Sequence, residues 1–190
     1  MSYIEQQRDL LRTGEFSDFS IHVEGREFNV HRIIEGLEGT ASLPEEKAET
    51  FERVLEFLYT GDYYSQPLEE ETDLHAMLVL EDIRFGANTD PVATEKQSQE
   101  LMRHVNVYIL AKYLQIDALK RRSISKFSEL VTRRFRPAAF IEPFAQVFNH
   151  GSDGGDGLRA EILDLCAKHS LYVVRDEQLV REARGYQSYG

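Results

Sequence analysis

Val54-Leu55-Glu56-Phe57-Leu58-Tyr59-Thr60-Gly61-Asp62-Tyr63 reads as the closing turns of an apolar helix. Phe51, Val54, Leu55 and Leu58 stand at i, i+3, i+4 and i+7, the offsets that line one helix face. Gly61 follows the last apolar turn, where a left-handed cap forms most easily. Upstream, Phe19-Ser20-Ile21-His22-Val23 and Glu27-Phe28-Asn29-Val30-His31 alternate as half-buried strands do. Gly25-Arg26 is the expected two-residue hairpin loop, with glycine at its first position. Residues 3–13 predict a short helix with Ile4 and Leu11 on one side, closed by Gly14.

Downstream, residues 64–100 read as an insertion of partial order, with a solvated charge run at Glu69–Asp73 and a helical pattern over Asp73–Phe85. Asn88 to Pro91 reads as a loop. Val107, Leu110, Ala111 and Leu114 form a second helical stripe, and Asp117 is placed to cap the next helix, which carries Leu119, Phe127, Leu130 and Val131. Phe140, Ile141, Phe144, Val147 and Phe148 predict a buried helix in which Pro143 must sit in the first turn or form a kink. Gly151–Gly157 is a loop. Leu158, Ile162, Leu165 and Cys166 mark one more amphipathic helix, and Asp176 to Ala183 a last short one.

The order of strand, hairpin, strand and Val30-His31-Arg32, followed by the Val54–Tyr63 helix, resembles the BTB/POZ domains of filamentous fungi. A second match in the expected order, Val107 through Ile116 to Leu119 and then Lys126-Phe127, resembles the closing helix pair of that family. The resemblance covers Phe16 to Val131 and implies an α+β fold, a small sheet from the hairpin and a Ser42–Leu43 strand packed against a helical cluster. It divides the chain into a BTB/POZ-like domain over 1–134 and a C-terminal helical extension over 135–190. Family members carry a helical hairpin after the His-Arg step, but here only Ile33 to Ser42 stand before Leu43-Pro44. Two helices need about 20 residues. The chain therefore reads as shortened after Ile34, through a trimmed fold or a lost exon.

The net charge of −11 is unevenly spread. Residues 1–100 hold 23 acids and 8 bases, and an acidic front half repels a phosphate backbone, so nucleic acid is not an expected partner. The lone Cys166 excludes an intramolecular disulfide and suits a reducing compartment. The first residues lack a signal-peptide pattern, and no apolar run has the length that spans a bilayer. The expectation is a soluble intracellular protein, cytoplasmic or nuclear.

Candidate sites are weighed against plainer roles. The histidines His22, His31, His75, His104, His150 and His169 have no close ligand spacing, and Cys166 with His169 supplies two donors where a structural zinc needs four. The Gly151–Gly157 loop lacks a Gly-Lys-Ser/Thr ending and holds two aspartates that would repel phosphate. Lys120, Arg121, Arg122, Lys126, Arg133, Arg134 and Arg136 form a basic stretch that reads as a solvated helix face, with recruitment of an acidic partner or a nuclear-import signal as the alternatives. Cys166 lies on an apolar stripe with no base in view, and the carboxylates sit in charge runs rather than catalytic pairs. No metal, cofactor or small-molecule substrate is expected.

Asp18 and Arg32 match by position the charges that BTB dimers place near their two-fold interface. The alternative is an ordinary intrachain pair or a capping contact. The resemblance implies a protein–protein interaction and dimerisation module rather than an enzyme, with a homodimer as first partner and a cullin-type ubiquitin ligase scaffold as a further one. The family's cullin contact centres on the part this chain lacks. The other readings are a small enzyme with a site assembled from scattered residues, or a truncated isoform without adaptor activity.

Overall fold

The computed structural model describes residues 2–31, 40–43, 45–64, 91–133, 136–149 and 157–168. In chain order its elements are α1 (Tyr3–Thr13), β1 (Phe19–Val23), β2 (Arg26–Val30), β3 (Thr40–Leu43), α2 (Ala48–Thr60), α3 (Pro91–Tyr113), α4 (Asp117–Arg133), α5 (Pro137–Asn149) and α6 (Gly157–Lys168). The fold is α+β, a three-stranded mixed sheet with a helical cluster. Ile33 and Ile34, the Asp73–Phe85 pattern and the Asp176–Ala183 helix lie outside the described residues.

The hairpin pairs Phe19 with Val30, Ile21 with Phe28 and Val23 with Arg26. Its loop is Glu24-Gly25, one residue earlier than the expected Gly25-Arg26, and β2 accordingly runs over 26–30. Both loop residues have positive φ, +48° and +75°. A turn of that hand matches strand twist and accepts glycine at its second position. The shift has a use: the Glu24 carboxylate accepts from the Ala48 N–H at 3.0 Å. It thereby caps α2, whose own N-cap residue Lys47 offers no side-chain bond. β3 joins the other edge of β1 in parallel, giving the order β2-β1-β3.

The chain divides into two compact units. Among the described residues, the first holds α1, the sheet, α2, the end of α3 from Asn106 and the start of α4 to Arg122. Its core joins Val23 and Val30 of the sheet, Phe51, Val54 and Leu55 of α2, and Tyr63 with Val107, Leu110, Ala111 and Leu119. The two helical stripes expected from periodicity thus meet in one core. Phe28 and Phe51 pack edge to face at 5.3 Å. Leu58, expected on the same stripe, stays exposed in the last turn of α2, and the half-buried Tyr59 points its hydroxyl at His31 instead. Arg122 donates to Asp62 through Nε at 2.9 Å and Nη2 at 2.8 Å, tying α4 to the chain just after α2.

In the second unit, residues 91–99 are helical rather than part of a loosely ordered insertion. Pro91 opens α3, where a missing N–H costs nothing. Phe127 and Phe140 pack at 5.7 Å, and Leu158, Ile162 and Leu165 form the buried stripe of α6. Pro143 lies inside α5, not in its first turn, and leaves the Ala139 carbonyl without an i+4 donor.

Gly14 and Gly61 close α1 and α2 at φ +64° and +79°. A Cβ on Gly14 would stand 3.2 Å from Asn29 Cβ, while one on Gly61 would meet nothing within 4 Å. Gly61→Ala should therefore cost about 1 kcal/mol for the left-handed backbone alone. Gly14→Ala should cost more. Chemical denaturation of the two variants checks this, and the reverse order would mean that the end of α1 does not approach the hairpin in solution.

Candidate interaction surface

α1 forms because its N-terminus is capped twice. Ser2 Oγ accepts from the Glu5 N–H at 3.3 Å and Glu5 Oε2 accepts from the Ser2 N–H at 2.6 Å. Gly14 ends it, donating to the Leu10 carbonyl at 3.0 Å. The helix lies on α2, yet none of its residues is buried. Leu11 is half-buried against the core, whereas Tyr3 and Ile4 in the first turn are 74% and 47% exposed. Ile4 and Leu11 do share a face, as their spacing predicts; only the Leu11 end of that face is covered.

Two polar contacts, each backed by further bonds, fasten this N-terminal arm. Arg8 Nη2 lies 3.6 Å from Glu56 Oε1, and Glu56 Oε2 accepts from the Tyr64 N–H at 2.7 Å. Next, His31 Nε2 lies 2.7 Å from the Glu15 carbonyl, which can only accept, so the neutral ring carries its proton on Nε2. Its Nδ1 then accepts from the Tyr59 hydroxyl at 2.7 Å, while the His31 N–H donates to the same oxygen at 3.0 Å. His31 is thus a structural residue whose ring is fully used. Periodicity missed this role, because the partners come from a turn and a helix far apart in the chain.

Of the two residues singled out from the sequence, Asp18 is exposed just before β1, its N–H donating to the Val30 carbonyl at 3.2 Å. Arg32 lies outside the described residues, as do His75, His150, His169 and the 151–156 loop. His22 is exposed on β1. His104 is buried in α3, with Nε2 3.8 Å from Glu100 Oε1. Among the described residues no three His, Cys, Asp or Glu side chains gather as a metal site would need. The basic stretch is not one solvated face: Arg121 and Arg133 are exposed, but Arg122 is bound to Asp62 and Arg136 is buried with Nη1 on the Ala93 carbonyl at 3.0 Å.

Cys166 is half-buried on α6, and burial pushes its thiol up to about 11. The unfolded chain then loses this proton first, so stability should fall as pH rises from the ordinary thiol range towards 11. At pH 8 the folded protein should react with a thiol reagent far more slowly than the same chain in denaturant. Equal rates would show that the thiol is not shielded. Separately, Tyr59→Phe should cost about 1–2 kcal/mol in chemical denaturation, because it strips partners from both the His31 ring and its N–H.

No helix among the described residues is long and apolar enough to cross a membrane. No protein-family model matches the chain, and a search of curated proteins finds no significant relative.

Proposed function

We propose that this chain is a protein–protein interaction module that forms a two-fold homodimer through α1. The observation that carries the reading is that α1 buries none of its residues and holds Tyr3 and Ile4 out to solvent. Isolated helices of this length are marginal in water, and exposed apolar clusters mark places where another surface docks.

The charges of α1 support a second copy of this chain as the partner. Its acids Glu5 and Asp9 and its bases Arg8 and Arg12 are self-complementary under reversal. A second α1 laid antiparallel brings Glu5 opposite Arg12 and Arg8 opposite Asp9, and each contact recurs by symmetry, as an isologous interface requires. The same arrangement sets Ile4, on the flank of this charged face, beside the last turn of the other copy. The BTB/POZ resemblance, in which relatives dimerise through the N-terminal helix and strand region, supports this reading. An adaptor role towards a cullin belongs to the same proposal but rests on the resemblance alone.

Sedimentation equilibrium tests it. The wild-type protein should dimerise, and Glu5→Arg or Arg12→Glu alone should weaken association about tenfold through two like-charge contacts. The double variant should recover most of the loss. Glu5→Arg also removes one of the two capping bonds, so association is compared between the Glu5→Arg and the double variant, which lack that bond alike, with helix content followed by circular dichroism. A wild-type chain that remains monomeric, or a double variant no better than the singles, would overturn the α1 interface.

A further inference from the structure

Among the described residues, three other than glycine have positive φ: Phe16 at +62°, Glu24 at +48° and Gln115 at +58°. Two have a structural occasion for it. Glu24 builds the hairpin turn and caps α2, and Gln115 turns the chain between α3 and α4 with its N–H on the Lys112 carbonyl at 3.2 Å. Phe16 is the third residue of the Gly14–Ser17 turn, a position that favours glycine, yet its side chain is 81% exposed and gains no packing in the monomer. A bulky side chain in the left-handed region is a genuine outlier.

The surrounding chain enforces the conformation. Ser17 N–H donates to the Gly14 carbonyl at 3.0 Å, and His31 Nε2 holds the Glu15 carbonyl at 2.7 Å. On the far side Asp18 N–H is fixed to Val30. Hydrogen bonds before and after Phe16 therefore hold the turn in place and leave the ring in solvent. Such strain persists where surrounding structure over-determines it, and it clusters at functional positions.

We propose that Phe16 is the anchor of the α1 interface, a preset aromatic side chain that packs beside Ile4 of a second copy. The inference rests on the self-association reading above. An eleven-residue α1 spans about 16 Å, and the pairing that sets Glu5 opposite Arg12 brings the Gly14–Ser17 turn, which carries Phe16, to the start of the partner's α1. Buried aromatic anchors carry a large share of interface energy, and one fixed in advance loses less freedom on binding.

The distinguishing measurement pairs affinity with monomer stability. Phe16→Gly and Phe16→Asn both suit a left-handed backbone, so each should raise the melting temperature of the dilute monomer by about 2–4 °C. Both should also weaken dimerisation at least tenfold in sedimentation equilibrium. Unchanged dimer affinity in both variants would overturn the anchor while leaving the α1 interface standing. A lowered melting temperature in both would overturn it too, by showing that the ring supports the fold. A wild-type protein that never dimerises would remove the anchor and the interface together.

Discussion

Burial of the inner face of α2 is the constraint on which the first unit depends. An isolated thirteen-residue helix is marginal in water, so α2 persists because Phe51, Val54 and Leu55 leave solvent against other elements. At roughly 1.5–3 kcal/mol for each fully buried large side chain, the three contribute roughly 5–9 kcal/mol. That is comparable with the whole net stability of an ordinary domain. The sheet supplies Val23 and Val30 to this burial, and the end of α3 supplies Val107, Leu110 and Ala111. The short strands and the bidentate Arg122–Asp62 bond are organised around it.

Attachment of the N-terminal arm is of a different order. The Arg8–Glu56 pair is partly exposed, and such pairs are worth about 0–1 kcal/mol. The bonds of His31 to Glu15 and Tyr59 add about 1 kcal/mol each. A helix fastened by polar contacts at its rim, with its apolar first turn uncovered, contributes little to the interior. Its capping box and the half-buried Leu11 hold it helical while its first turn stays at the surface.

The sequence was most legible where one period ran through one buried face. Val107, Leu110 and Ala111 are fully buried as their spacing predicts, and Gly61 caps α2 in the left-handed conformation. Leu58 obeyed the same arithmetic and is exposed, since periodicity assigns a side but not the reach of whatever covers it. The hairpin loop was misplaced by one residue because glycine can occupy either position, and only strand register chooses. Residues 91–100 gave no helical signal because the buried face there is polar: Gln97, Ser98 and Glu100 are all buried. The candidate surface was least visible of all. Ile4 was placed on the correct side of α1, but nothing in Gly14-Glu15-Phe16-Ser17 announces a phenylalanine at positive φ.

The first unit is also discontinuous, and that affects how it can be made. Its opening 64 residues emerge from the ribosome well before residues 106–122, which complete its core. At ordinary translation speeds the wait for residue 122 is roughly 3–12 s, long compared with hairpin or helix formation. During that interval Val54, Leu55 and Tyr63 lack the side chains that later cover them. A product ending before residue 106 would present its own interior as a sticky surface.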